Sequence, residues 1–420
     1  MPISSFGRGA AEHFRQKLSL REQLKPTKPY WIVVRYSDKV SSVNLLKTMI
    51  KLLRYTRIYG LGRTAFKVFG RLRHPVCLVW RRYPDPDIAV IGCGQYGLST
   101  LGYFLTQRFG RRLRWVYDPE ESAANSMRSI TGALFVANDP AEAIADPATK
   151  YVFIASNHAS HTDYAVEALH AGKYVYVEKP VSVSIDQLAK LYAAAEFAPN
   201  RIVAGYNRPF SAAARDLQAL IAPPLGGLSL SCFVSGHVLD SEHWYRNPEE
   251  GTRICGNAGH WIDLFIHLLH WRGNCPNLLR IQLLSADPAE ADDNFALTIG
   301  TEQNDVFTLM LTARSEPFEG INETINVQWS SVIAKIDDFR SMTAWRGHRR
   351  HKYQYWPKDV GHKSGAMQFF SGNRARQWSE IVISSMVMLR VTDMVRNGET
   401  LAELNLPESL MTISTSVSNE

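Results

Sequence analysis

From residue 86 onward the chain is built of short apolar runs separated by segments of helical periodicity. Residues 88–91, 113–117, 150–155 and 174–177 are nearly continuous aliphatic and aromatic runs, the pattern of strands buried on both faces of a parallel sheet. Helices are predicted between them over residues 96–108, 140–145 and 165–171, with a short strand at 132–136. Strands alternating with helices form right-handed βαβ units, so a doubly wound parallel sheet is expected. Past residue 205, helices at 261–271, 366–373 and 378–396 accompany a strand at 334–340 that closes a second sheet. Ahead of residue 86 the pattern differs. Residues 42–70 read as one amphipathic helix, with Leu45, Leu46, Met49, Ile50, Leu53 and Phe66 alternating with Lys47, Lys51, Arg54, Arg57, Arg63 and Lys67.

The strand at 88–91 runs into Gly92-Cys93-Gly94-Gln95-Tyr96-Gly97. In such a G-x-G-x-x-G turn the first glycine allows the tight turn and the second lets backbone approach a pyrophosphate. The third lets the next helix pack on the strand, and that helix's N-terminus attracts phosphate. The second strand ends at Asp118, placed where a carboxylate bonds the ribose hydroxyls of NAD and repels the extra phosphate of NADP. NAD is therefore favoured over NADP. Ligands of such sheets lie beyond the strands' carboxyl ends, where Gly92, Asp118, Asn157 and Lys179 all fall.

Several stretches resemble the glucose-fructose oxidoreductase, inositol dehydrogenase and MocA family (Gfo/Idh/MocA): residues 88–97, 155–161, Glu178-Lys179-Pro180, 205–210, 259–264 and 293–297. The resemblance implies an N-terminal Rossmann domain followed by an α+β domain whose open, mostly antiparallel sheet serves oligomerisation. It implies hydride transfer between a nicotinamide cofactor and a sugar or polyol carbon, with Lys179 beside the reacting hydroxyl and His260 as the acid/base. Ser156, Asn157, His161, Glu178 and Lys179 join Gly92, Gly94, Gln95, Tyr96, Gly97 and Asp118 as expected cofactor contacts. Asn207, Arg208, Arg253, Asn257 and Asp263 are expected substrate contacts. One departure matters: many members carry an aspartate four residues before the histidine, and this chain has Gly256 there. The loop 250–260 looks more like a branch linked to surface polysaccharide synthesis, with Asn257 in place of that branch's glutamate. Two functions follow, an oxidoreductase acting on a sugar or sugar nucleotide, or a catalytically weak cofactor-binding scaffold.

The residue chemistry supports the same roles. Histidine suits proton transfer near neutral pH, and a lysine can stabilise charge developing on oxygen. The segment holding His237, His243, Trp244, Tyr245 and Arg246 suits stacking on a base or sugar and pairing with phosphate, and equally suits a loop packed on the sheet. No tight ligand spacing points to a metal.

Charge divides the chain. Its formal net charge is +7, but residues 1–85 hold 18 Lys or Arg against 4 Asp or Glu. A basic amphipathic segment can lie on an anionic membrane or bind a partner protein, so peripheral contact through residues 42–82 is expected. Nucleic acid is not expected, since no binding motif accompanies the charge. The five cysteines form no C-x-x-C pair, which favours a reducing cytoplasm. The expected organisation is a basic extension (1–85), a Rossmann domain (86–205), a substrate and oligomerisation domain (206–405) and a tail (406–420) whose last residues look disordered.

Overall fold

The computed structural model describes residues 42–287, 289–317, 320–371 and 375–417. Residues 1–41 lie outside them, and so do residues 418–420, within the last part of the tail that is expected from sequence to be disordered. The first sheet has six parallel strands: β1 (Ile88–Ile91), β2 (Leu113–Tyr117), β3 (Phe135–Val136), β4 (Tyr151–Ile154), β5 (Tyr174–Val177) and β6 (Ile202–Ala204), in the order β3-β2-β1-β4-β5-β6. The order reverses at β1 and β4, which places a crevice beyond their carboxyl ends. Successive β1 side chains enter different cores. Ala89 and Ile91 join the core shared with the second domain, while Ile88 and Val90 join a core that includes Phe66 and Val79 of the extension.

The second sheet has nine strands: β7 (Ser229–Ser235), β8 (Leu278–Ser285), β9 (Phe295–Thr301), β10 (Val306–Thr312), β11 (Asn322–Trp329), β12 (Val332–Asp337), β13 (Ser341–Arg346), β14 (Arg349–Gln354) and β15 (Leu401–Asn405). β7 and β10 pair in parallel and the other pairs are antiparallel. Buried and exposed positions alternate along β7, β8 and β12. The inward set packs with the helices Gly259–His270 and Trp378–Asn397, while Phe233, Leu284, Met310 and Ile333 face outward.

Several elements differ from the sequence reading. The basic amphipathic segment is two helices, Ser42–Tyr59 and Leu61–Leu72, divided at Gly60, whose φ of 83° a helix cannot continue through. The helix after the glycine turn opens as a π-helical stretch, Gly97–Gly102, before continuing as Tyr103–Phe109. The run expected as a loop around residues 346–358 forms edge strand β14, and its Arg349, Arg350 and Lys352 are what guards a free sheet edge. The second sheet therefore does not close at 334–340; β13 and β14 follow it. The helix expected at 366–373 is a turn, His362–Ala366, with a short 3-10 turn Gln368–Phe370. The tail beyond β15 begins as a helix, Leu406–Val417. Among the described residues no helix is long and apolar enough to cross a membrane.

Candidate functional site

The glycine turn shows why its residues are what they are. Gly92 has a φ of +95°, and a side-chain carbon there would stand 2.3 Å from the Ala155 carbonyl oxygen. One on Gly97 would stand 2.1 Å from the Gly92 carbonyl oxygen. One on Gly94 would meet nothing within 4 Å, so space is left on the side from which a pyrophosphate approaches. Asp118 folds back onto this turn: Cys93 N donates to Oδ2 at 2.8 Å and Glu120 N to Oδ1 at 2.9 Å. The acid is thus fixed at the end of β2. These features fit a dinucleotide.

At the end of β5, Tyr176 donates to the Glu178 carboxylate at 2.9 Å, and Lys179 Nζ donates to the Gly256 carbonyl at 2.7 Å. Burial raises the Glu178 carboxyl, against the pull of Lys179, and burial lowers the Lys179 ammonium, against the pull of Glu178. His161 is buried and clamps the lysine turn: its Nδ1 lies 2.7 Å from the Pro180 carbonyl and its Nε2 3.1 Å from that of Ser156. It supports the site from behind. Asn157 donates to Glu250 at 2.6 Å, and Glu250 also takes Ala159 N, so the loop 250–260 is tied to the end of β4.

His260 lies in the first turn of the helix Gly259–His270. Burial pushes its pKa well down, and the charges of Arg208, Lys179 and His362 push it further. At neutral pH it is an uncharged imidazole able to accept a proton. Its Nδ1, Nδ1 of His362 and Oδ1 of Asn207 are buried without a hydrogen-bond partner on the protein. Buried polar atoms of this kind mark where a ligand's own polar groups complete the bonding. Nothing in the sequence pattern pointed to His362; the turn after Gly361 brings it to Tyr96, with ring centroids 5.8 Å apart.

The remaining candidates are engaged inside the protein. Arg208 is held by Glu323 through two bonds of 2.8 and 3.0 Å and lies over Trp261. Arg253 is fully buried, pairs with Asp293 at 3.0 Å and donates to the His237 carbonyl. Asp263 is fully buried against Arg376 at 2.7 Å, and Arg376 also meets Glu380. Asn207 donates to the Val360 carbonyl, so one side of its amide braces the fold. These four stabilise the walls; Asn207 Oδ1, Arg253 Nε and Asp263 Oδ1 are each left buried without a hydrogen-bond partner. Asn257 is partly exposed beside them.

The missing aspartate has a steric reason. A side-chain carbon on Gly256 would stand 2.4 to 2.9 Å from three ring atoms of Tyr245. That ring is wedged against His158, His243 and Trp244, with centroids 5.2, 4.9 and 4.4 Å away. Tyr245 fills the space a longer residue at 256 would need.

Residues 87–206 match the profile of the oxidoreductase family with an NAD-binding Rossmann fold. Over these residues the chain is similar to the Rossmann domain of the Gfo/Idh/MocA oxidoreductases. An inositol 2-dehydrogenase of Ralstonia nicotianae is 30% identical over 191 residues, covering 44% of this chain and 53% of the relative. A scyllo-inositol 2-dehydrogenase (NAD(+)) of Bacillus subtilis is 30% identical over 102 residues, covering 23% of this chain and 30% of the relative. The chain thus spans about half or less of the length of these relatives. Solved structures of the same fold reach further. GenD2 from gentamicin A biosynthesis, in complex with NAD, aligns with 78% of this chain and 99% of its own at TM-score 0.60 and 21% identity. Levoglucosan dehydrogenase, in complex with NADH and L-sorbose, aligns with 76% and 99% at TM-score 0.61 and 14% identity. The two sheets and the likeness to these solved structures bear out the expected pairing of a Rossmann domain with a mostly antiparallel sheet domain.

Proposed function

We propose that the protein is an NAD-dependent dehydrogenase that moves a hydride between cofactor and a hydroxyl or keto carbon of a sugar or sugar nucleotide. The observation that carries this is the cluster at the crevice: Lys179 held by the Gly256 carbonyl, a neutral His260, and the unpartnered atoms of His260, His362 and Asn207. When bound, NAD accepts the hydride released from the carbinol carbon. Lys179 orients the hydroxyl oxygen and offsets the charge that builds on it, and His260 takes its proton. Gly92, Gly94 and Gly97 carry the pyrophosphate and Asp118 the ribose. The names of the relatives, inositol and levoglucosan dehydrogenases, are those of enzymes of cyclic polyols and sugars. The loop 250–260 favours a sugar nucleotide and a role in glycan assembly, at a cytoplasmic membrane surface reached through the basic extension. The outward apolar side chains of the second sheet suit a homo-oligomer.

The test is a screen of cyclic polyols, free sugars and nucleotide sugars for NAD reduction, run on the wild type and on Lys179→Ala. A substrate that reduces NAD with the wild type and not with the variant supports the reading. Undiminished turnover by the variant removes the lysine from the mechanism.

A further inference from the structure

Residues 49–82 of the basic extension are built into the fold. Lys358 N donates to the Ile58 carbonyl at 2.9 Å and Trp356 Nε1 to that of Arg57 at 2.8 Å, which ties the first extension helix to the segment after β14. Buried Arg63 of the second extension helix donates to Thr100 at 3.0 Å, in the helical stretch that follows the glycine turn. Leu101 and Leu105 of that stretch pack into the core, so Tyr103 and Gln107 turn away from it. The extension, this outer face and residues 354–364 border a cavity of about 570 Å³. His362 forms part of its wall. The same ring meets Tyr96 of the glycine turn at 5.8 Å and lies near enough to His260 to bear on its charge. The cavity therefore backs onto the cluster in the crevice.

Arg63 is 8% exposed and lines this cavity, yet no carboxylate among the described residues meets it. Its Nε donates to the Ser99 carbonyl at 3.4 Å and its Nη2 to the Thr100 hydroxyl, while its Nη1 has no hydrogen-bond partner. Its guanidinium lies 4.8 Å from the Tyr59 ring and 5.4 Å from that of Phe104. A charge this buried calls for an opposite one. Lys363, exposed at the rim, likewise forms no ion pair with the described residues. The other two cations of the wall are answered, Lys358 by Asp338 at 2.6 Å and Arg215 by Asp359 at 3.8 Å. Asp359 is the only carboxylate among the described residues of the wall, and its oxygens already accept from Ala212 N at 3.0 Å and Gly361 N at 2.9 Å. Trp356 adds a flat face: its Nε1 is anchored on Arg57, yet the residue stays 75% exposed. Guanidinium and ammonium groups bind phosphate oxygens, and a fixed indole offers a surface on which a base stacks. Both in one cavity of this size match a nucleoside diphosphate.

We propose that this cavity holds the nucleoside diphosphate of a sugar-nucleotide substrate, with the phosphates on Arg63 and Lys363, the base on Trp356 and the sugar directed past His362 towards Lys179 and His260. The inference rests on the sugar-nucleotide reading and names residues for the part of the substrate that does not react. The full chain, with and without saturating NADH, is titrated calorimetrically with uridine, guanosine and cytidine diphosphates and with inorganic pyrophosphate. At least one nucleotide is expected to bind the NADH-saturated protein. Trp356→Ala should bind it roughly tenfold more weakly and Trp356→Phe near normally, with pyrophosphate affinity unchanged in both. Lys363→Gln should weaken nucleotide and pyrophosphate alike, roughly tenfold, with NADH affinity and urea midpoint unchanged. Arg63→Gln should lose both anions, and exposed Lys363 and Trp356 keep the test decisive if that variant does not fold. Nucleotide binding that NADH abolishes belongs to the cofactor crevice and overturns the proposal. So does binding of no nucleotide, or equal binding by wild type, Trp356→Ala and Lys363→Gln. Nucleotide binding without NAD reduction by any sugar would strike the dehydrogenase reading alone, and NAD reduction by free polyols with no nucleotide bound would strike this site alone.

Discussion

Placing an aspartate at position 256 should damage the protein, and the structure gives the size of the damage. The new side-chain carbon would start 2.4 Å from Tyr245 Cε2, against 3.4 Å for an ordinary contact, so the ring must retreat by about 1 Å. His158, His243 and Trp244 pack around that ring and oppose the retreat. Overpacking of this kind costs about 1–3 kcal/mol. The carboxylate would gain some attraction from Lys179, whose Nζ bonds the carbonyl of the same residue. Gly256→Asp is therefore expected to destabilise by about 2 kcal/mol, which lowers a urea midpoint by roughly 0.7 M if the slope is about 3 kcal/mol/M. The decisive assay is a double-mutant cycle. In a Tyr245→Ala background the aspartate has room, and Gly256→Asp should cost at least 1 kcal/mol less than it does in the wild type, beyond the roughly 0.5 kcal/mol scatter of independent sites. Additive costs, or a single Gly256→Asp variant with unchanged midpoint and higher turnover, would refute the claim that Tyr245 stands in the aspartate's place.

Other consequences are quicker to check. Lys179→Ala should lower turnover on whichever sugar the screen identifies by roughly 10²-fold or more, with NADH affinity within about threefold in a fluorescence titration. Asp118→Ala removes the carboxylate that accepts from Cys93 N and Glu120 N, and should weaken NADH binding about tenfold while affecting NADPH less. Buried His161 is lowered to about 4 from a usual 6.5, so the folded state resists a proton that the unfolded chain accepts. Its contribution is complete above pH 6.5 and is lost as pH falls towards 4, about 3 kcal/mol in all. His158 and His260 shift in the same direction, so urea midpoints should fall steeply from pH 7 to pH 4.5, and a flat profile would contradict the buried neutral histidines.

What could be read in the sequence was whatever a local pattern determines. β1, the glycine turn and Asp118 form one continuous signal, because a buried parallel strand needs an unbroken apolar run and a tight turn needs Gly92. β14 was not legible, since an edge strand exposed on both faces carries charges with no apolar alternation. Arg208, Arg253 and Asp263 were expected to contact substrate because they lie in or beside the stretches that carry the family resemblance. Their partners, Glu323, Asp293 and Arg376, are 115, 40 and 113 residues away, and no local pattern reveals such pairings. His362 was missed for the same reason, and so was the docking of the extension on the cofactor domain.

That docking changes how a membrane role for the extension must be tested. Deleting residues 1–82 would expose the core around Phe66 and Val79 and remove the bonds of Arg63, so lost membrane binding in a deletion could reflect unfolding. The outward face offers a cleaner perturbation. Met49, Leu53 and Leu61 are 53%, 66% and 79% exposed, beside exposed Lys51, Arg54 and Arg57. Burying one such side chain in lipid contributes roughly 1.5–3 kcal/mol, and each cation near an anionic surface about 1 kcal/mol. Met49→Ser with Leu53→Ser should therefore cut binding to vesicles containing phosphatidylserine by at least 10²-fold, with NADH affinity and urea midpoint unchanged. Binding by the wild type should weaken as salt is raised. Equal flotation by wild type and double variant would mean that the exposed apolar face does not enter lipid.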